Sequence, residues 1–431
     1  MKKVTLKQRI IEKWEHAGFQ KYFQNTGWMF FARIFGMAIA FFVTAIVARY
    51  LGPEKYGTLM YAVSFVGLFS FIASLGMDHI IYRELIKHPE NENKILGTSF
   101  TLRLAGGFLA FFATILFSSL VLHGVLEKKL IIIISFSFIF QTLSILNYSF
   151  QSRLENKKLS YTIIITTVIL SLLKLAIVFS NKGILFLSAV LVIEPVIYGL
   201  FLVFYYSKYF GKIKRWTFDY EMAKDIIKAS LPLMFSAVFV LIYSRIDQII
   251  VKHFLNSTAV GLYSAAVTLS EVWYFIPGII VSTLFPSIIN TKKNDEIVYR
   301  KRIIHLTLLL ISISSFIAIL GTLFAKYILH LIFGLSFVDA YRVLQLYIWS
   351  GVGISIGTVL IQYLITEKLS SIILYTSIIG MVINVALNLW LIPIYGINGS
   401  AFATLISYTV GPLSALCFKS SREKILKLFI Q

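Results

Sequence analysis

Cysteine is nearly absent from this chain of 431 residues: Cys417 stands alone, so no intrachain disulfide, thiolate metal cluster or Cys-x-x-Cys redox pair can form. Charge is equally scarce, at 14% of residues against 58% hydrophobic, which excludes an ordinary water-soluble domain. Acidic residues number 20 against 40 basic ones, a net charge of +20. The basic residues are dealt out among short loops, however, and form no readable helix or aromatic platform for nucleic acid. No G-x-x-x-x-G-K-[ST] loop and no H-E-x-x-H pair occurs, and the seven histidines lack ligand spacing. A glycosyltransferase would need a polar cytoplasmic domain with acidic clusters, and a polysaccharide polymerase a large external loop; the loops are too short for either. The chain reads as a non-enzyme without a resident cofactor or metal.

What is present are long apolar runs such as "MAIAFFVTAIVA" and "IIIISFSFIFQTLSIL", each near the roughly 20 residues that cross a bilayer core. The weakly alternating ten-residue strands of an outer-membrane barrel are missing. Twelve spans are expected, near residues 28–48, 57–77, 96–122, 130–150, 161–180, 183–206, 230–253, 260–289, 303–325, 343–366, 370–392 and 399–418. With the N-terminus inside and Lys252 counted with the outer turn after span seven, segments on the cytoplasmic side carry 28 Lys and Arg, outer loops 8, and the spans the remaining four. Cytoplasmic loops hold such an excess, so both termini are expected in the cytoplasm of a multi-pass protein of the inner membrane. Residues 1–27 are basic, lack a cleavage-like site and stay attached. Ile10, Trp14 and Ala17 share a helical face, which fits an interfacial amphipathic helix; a solvated basic tail is the alternative.

The polar turn "VARYLGPEKYGTLMYA" at 47–62 has a paler copy, "VKHFLNSTAVGLYSAA", at 251–266. Gly52 and Pro53 break the helix and Gly57 starts the return; Gly57 aligns with Gly261 at a spacing of 204 and Arg49 with Lys252 at 203. Both turns lie between the first two spans of a six-span half, so the halves read as parallel repeats, an architecture of transporters. The expected organisation is an N-terminal lobe at 28–206, a cytoplasmic connector at 207–229 ending in a short amphipathic helix, a C-terminal lobe at 230–419 and a basic tail at 420–431. The Asn-x-Ser/Thr matches at Asn256 and Asn398 hug the membrane and are read as chance.

Seven ionisable residues fall inside spans: Arg33, Arg103, Lys174, Glu194, Arg245, Asp247 and Glu271. Each costs on the order of 2.5–3.5 kcal/mol at a helix centre, so they pair or line water. Arg33 and Arg103, near span ends, can instead snorkel. In "YSRIDQ" Tyr243 and Asp247 share a face while Arg245 points roughly 160° away. Glu194 precedes Pro195, and Ser270, Glu271 and Tyr274 form a polar corner before Pro277. Gln141, Ser144, Tyr148 and Gln151, with Asn384 and Asn388, line a cavity or bond between helices.

Residues 46–84, "IVARYLGPEKYGTLMYAVSFVGLFSFIASLGMDHIIYRE", resemble the polysaccharide biosynthesis membrane proteins of bacteria and archaea, the O-antigen and capsule-repeat flippases. The likeness continues at "SLPLMFS", at Asp247-Gln248-Ile249-Ile250, at Val260 to Ala266 and at "LNLWLIPIYGINGSAFAT". Family members often carry Gly where this chain has Lys252. The resemblance implies the fold of multidrug and toxic-compound extrusion transporters: all-α, twelve transmembrane helices in two parallel six-helix lobes around a central cavity. It further implies an oligosaccharide on a polyprenyl pyrophosphate as cargo, flipped between leaflets by a functional monomer, with a glycan polymerase and other assembly proteins as candidate partners. Arg33, Arg103, Lys174 and Arg245 are expected to hold the pyrophosphate, and Glu194, Asp247 or Glu271 a coupling proton or sodium ion. The alternatives are a drug/cation antiporter of the same fold, a peptidoglycan-precursor flippase, whose relatives carry two further spans, and a non-transporting partner of a glycan synthase.

Overall fold

The computed structural model describes residues 17–292 and 295–429, with side chains for all of these except 17–26, 233, 236, 237 and 429. Most of the 1–27 segment, including Ile10 and Trp14, therefore lies outside the described residues. Among the described residues the chain is helical and contains no strand. In hydrocarbon only a helix satisfies its own backbone polar groups without a partner segment. Ten helices among the described residues are long and apolar enough to cross a membrane. The first of these, Gly27–Gly67, consists of two rods divided at Gly52, and helix Tyr220–Phe254 supplies one more crossing, which brings the spans to twelve.

The helices are built inside out relative to a soluble protein. Along Glu92–Val121 the buried face reads Arg103, Gly106, Gly107, Ala110, Thr114 and Ser118, while Leu109, Phe112, Leu116 and Leu120 are exposed. Large apolar side chains suit lipid, so burial gains nothing for them. Small residues let backbones approach.

Several boundaries depart from the sequence reading for identifiable reasons. Only Gly52 leaves the helix at the first turn, with φ 68° and ψ 170°, a conformation that favours glycine. Pro53 then opens the next rod, where its missing N–H costs nothing. Gly57 starts no return: it lies within the rod, at a close backbone crossing. Span two is not continuous to 77; its helix ends at Gly67, a short helix covers Ser70–Ser74, and Leu75 and Gly76 turn the chain at φ 52° and 64°. The connector helix does not stop before "SLPLMF" but runs unbroken as Tyr220–Phe254 with Pro232 inside it. In span eight the helix breaks at 272–274, ahead of Pro277, which sits in the first turn of Phe275–Lys292. Span four tightens into a 3-10 stretch, Gln141–Ile145, between Ser137–Phe140 and Leu146–Ser152.

The chain packs as two compact units. The first comprises the residues up to Val43 and Phe69–Met234; the second comprises Thr44–Leu68 and Phe235 onward. Residues 44–68 thus pack with the C-terminal unit rather than with the lobe at 28–206. In the first unit the connector is stitched to span three: Lys94 pairs with Asp219 at 2.7 Å and the Asp219 N–H donates to Thr98 Oγ1 at 3.0 Å. Met77, Ile81, Leu96, Leu146, Phe150 and Tyr206 form the adjoining apolar core. In the second unit a Cβ on Gly57 would strike the Ser257 carbonyl and the Gly261 nitrogen, and one on Gly261 the Pro53 carbonyl and the Gly57 nitrogen. Residues 53 and 57 relate to 257 and 261 by the same 204-residue offset, so this crossing is self-complementary. Arg49 caps the end of Ala325–Phe333, donating to the carbonyls of His330, Leu331 and Ile332.

Candidate functional site

In the first unit, spans four, five and six line an open cavity of about 460 Å³. Its polar wall is Gln141, Ser144, Thr166, Thr167, Glu194 and Tyr198, and its apolar wall is Phe140, Ile163, Leu191 and Pro195. The 3-10 stretch explains how one helix contributes both Gln141 and Ser144, since residues three apart eclipse at three residues per turn.

The four charged residues expected in this half stand around the cavity in different states. Arg103 is 5% exposed and pairs with Asp78, while its Nη1 donates to Ser144 Oγ at 3.0 Å and its guanidinium lies 5.7 Å from the Tyr148 ring centre. Its charge is matched by Asp78, and it braces the wall from behind. Glu194 stands in the wall itself. Lys174 is half-buried within electrostatic range of Glu194, with no direct ion pair. Arg33 is exposed, within range of Tyr198, whose Oη donates to Asn147 Oδ1 at 2.6 Å. The uncommitted positive charge therefore resides on Arg33 and Lys174. Of the polar residues foreseen in span four, Gln141 and Ser144 line the cavity, whereas Tyr148 backs Arg103.

In the second unit Arg245 is exposed and Asp247 is 3% exposed, in keeping with two positions roughly 160° apart on one helix. Asp247 accepts at both oxygens, Oδ1 from the Gln248 N–H at 2.8 Å and Oδ2 from Tyr263 Oη at 2.5 Å. Tyr263 Oη lies 3.5 Å from Thr404 Oγ1, and Asn384 Nδ2 donates to Thr404 and to Ser407 at 3.5 and 3.1 Å. Ser400 Oγ donates to Asn388 Oδ1 at 2.6 Å, and Asn388 Nδ2 donates to the Asn384 carbonyl at 2.8 Å. A hydrogen-bonded line of polar side chains thus crosses spans seven, eight, eleven and twelve, with the Asp247 carboxylate at one end.

Glu271 ends helix Ser257–Glu271 at the break in span eight and accepts from Tyr347 Oη at 3.0 Å. Tyr347 meets Tyr263 edge to face at 6.1 Å, and Tyr243 meets Tyr408 at 4.8 Å. No cluster of three or more His, Cys, Asp or Glu side chains with metal-binding geometry occurs among the described residues. Sequence reasoning missed Asp78, Thr166, Tyr263 and Thr404. Asp78 stands where span two was expected to give way to loop, and tyrosine and threonine raise no alarm in an apolar helix.

Comparisons with known proteins bear on this arrangement. Residues 22–292 match the family described as polysaccharide biosynthesis protein. A protein of Haloferax volcanii named probable low-salt glycan biosynthesis flippase is 24% identical, over 91% of this chain and 82% of its own length. A capsular polysaccharide biosynthesis protein of Staphylococcus aureus is 23% identical, over 92% and 98%. Among solved structures, a lipid II flippase in an inward closed conformation superposes with a TM-score of 0.71 at 18% identity, covering 93% of this chain and 91% of that one. An inward-facing multidrug resistance transporter of the MATE family gives 0.69 at 16%, covering 91% and 95%. These two likenesses show the fold, which is the one implied by the sequence resemblance. The family match spans more than half of the chain and includes the whole cavity-bearing unit from residue 22 onward; the protein is a member of the polysaccharide biosynthesis protein family.

Proposed function

We propose that the protein is a flippase, translocating polyprenyl-pyrophosphate-linked oligosaccharide repeat units across the cytoplasmic membrane by ion-coupled alternating access. The observation that carries this reading is the cavity inside the first unit, with hydroxyl, amide and carboxylate groups in its wall and the unmatched cations Arg33 and Lys174 beside it. Ammonium and guanidinium groups bind phosphate oxygens, and the wall groups bind sugar hydroxyls. Arg103 supports the wall, and Arg245 adds positive charge in the second unit. Asp247, within its oxygen-lined network, is the favoured coupling site for a proton or sodium ion, with Glu271 as a second carboxylate. The names of the Haloferax volcanii and Staphylococcus aureus relatives support a role in glycan assembly. In this reading the protein works as a monomer in the inner membrane, with both termini in the cytoplasm, beside the polymerase and other proteins of glycan assembly.

The test is reconstitution. Proteoliposomes carrying a fluorescent polyprenyl-pyrophosphate oligosaccharide should show protein-dependent loss of signal to an impermeant quencher, faster under a proton or sodium gradient. The variant Lys174→Ala should slow the rate about tenfold, a loss of about 1.4 kcal/mol. The acid and tyrosine cluster of the second unit favours drug/cation antiport as a second reading. Export of a cationic dye without any movement of the lipid-linked sugar would establish that activity and overturn the flippase. Movement of neither cargo would leave a non-transporting partner of a glycan synthase.

A further inference from the structure

We infer that the cavity in the first unit is a subsite for the sugar ring next to the pyrophosphate, and that Glu194, Gln141 and Thr166 select that sugar, while the pyrophosphate lies outside the cavity against Lys174 and Arg33. This inference rests on the flippase reading and divides its cargo between two places.

The wall's own charge is negative. Glu194 is the one ionisable carboxylate in the polar wall named above, and the cations stand off it: Arg103 is taken by Asp78, and Lys174 and Arg33 are not wall residues. A pyrophosphate inside would face Glu194 at short range, where like charges repel. A neutral ring bearing hydroxyls meets the opposite condition. An ionised carboxylate only accepts hydrogen bonds, and sugar hydroxyls donate.

The remaining groups fit the same ligand. Gln141 spends its Nε2 on Ser137 Oγ at 3.4 Å, which leaves its amide oxygen as an acceptor. Thr166 is 4% exposed, and its Oγ1 has no hydrogen-bond partner in the protein. A buried hydroxyl without a partner costs about 1–3 kcal/mol, and a ligand that bonds to it recovers that cost. Tyr198 donates its hydroxyl to Asn147 and lines the cavity. With Phe140, Leu191 and Pro195 it makes an apolar flank for the C–H face of a pyranose. A pocket that combines an apolar flank with placed polar groups is the usual composition of a small-molecule site, and about 460 Å³ falls within the usual size range.

Glu194 thereby acquires a selective role distinct from ion coupling, which stays with Asp247. A pocket built to bond a hydroxyl discriminates strongly against a ligand lacking it, because its own polar groups are then stranded. Specificity for the proximal sugar would be written in spans four, five and six.

The experiment measures binding to purified full-length protein in detergent, using a short-chain prenyl diphosphate and the same lipid bearing one hexose, N-acetylhexosamine, deoxyhexose or hexuronic acid. Wild type should bind at least one glycosylated probe about tenfold or more tightly than the bare lipid. The variants Glu194→Gln and Thr166→Val should remove most of that difference by weakening the glycosylated probes without weakening the bare lipid; Lys174→Ala should weaken both classes equally. Thermal unfolding of each variant confirms that it is folded. The inference is overturned if no sugar improves binding, or if Glu194→Gln weakens the bare and glycosylated lipids alike. Failure of the flippase reading looks different: the sugar preference persists and depends on Glu194, but no probe crosses a proteoliposome membrane.

Discussion

Arg103 and Lys174 are both cations in apolar helices, yet they differ in what they are free to do. Arg103 is almost wholly buried and is held by Asp78 and Ser144. Removing one member of such a pair strands the other; because Asp78 is 46% exposed, the expected cost is about 2 kcal/mol rather than the 3–5 kcal/mol of a fully buried pair. Arg103→Ala should therefore lower stability in a denaturation series, and Arg103→Met with Asp78→Leu should recover part of it in a double-mutant cycle. Lys174→Ala should leave stability within about 1 kcal/mol while slowing transport, since no direct ion pair is lost. The sequence exposed both cations, because a charge in an apolar run stands out. It did not separate their roles, because Asp78 lies 25 positions before Arg103 at a segment's edge. Asp247 was legible for the same reason, whereas its partners Tyr263 and Thr404 were not. A tyrosine or threonine costs little in a membrane helix, so neither marks itself.

At the scale of elements, helix breaks were read from glycine and proline, and this succeeded where a backbone angle demanded glycine, as at Gly52, and ahead of Pro277 in span eight, but not at Pro232, which lies inside an unbroken helix. The 3-10 stretch at Gln141–Ile145 contains neither residue. It packs against spans three and six, contacts between distant segments that no local pattern encodes. Glu367, just beyond helix Ser350–Thr366, is another feature made by packing. It pairs with Lys292, lies 3.2 Å from Lys424 Nζ, and is reached by Tyr299 Oη at 3.5 Å. Lys424 also donates to the Glu367 carbonyl at 2.9 Å, so the clasp ties helix Lys419–Phe429 to the ends of three others. Burial works against the charged carboxyl, but the hydrogen bonds and attraction from Lys292 and Lys424 outweigh it and hold Glu367 below the ordinary carboxylate range. A depressed carboxyl contributes stability above its unfolded value and loses it as pH falls through the folded one. Protection of the amides of residues 419–429 from hydrogen exchange, measured against the intrinsic rate at each pH, should thus be high at pH 7 and fall in acid below the usual range for Glu. Glu367→Gln should show the lowered protection already at pH 7, a local loosening of about 1–2 kcal/mol. Protection unaffected by both acid and substitution would remove the clasp as an anchor.

At the scale of the whole molecule, the symmetric crossing of Gly57 with Gly261 gives physical content to the duplication read from two polar turns. Each copy contacts the other through equivalent atoms, so the packing is self-complementary in the way that paired copies of one segment are. That packing, together with the Arg49 cap, draws residues 44–68 into the second unit, a result that span counting could not foresee. Orientation, by contrast, rests on charge: 28 Lys and Arg in the segments assigned to one side against 8 on the other. A bias of this size fixes the side on which loops are retained during insertion. Because Cys417 is the single cysteine, a Cys417→Ser background admits one reporter thiol at a time. His123 and Leu335 are exposed positions assigned outside, and Glu90 and Lys212 are exposed positions assigned inside. An impermeant maleimide added to intact cells should label His123→Cys and Leu335→Cys, and should reach Glu90→Cys and Lys212→Cys only after the membrane is opened. The reverse pattern would invert the protein and set Lys174, Arg33 and the cavity to receive cargo from the opposite leaflet, while a mixed pattern would break the even count of spans on which the two repeats depend.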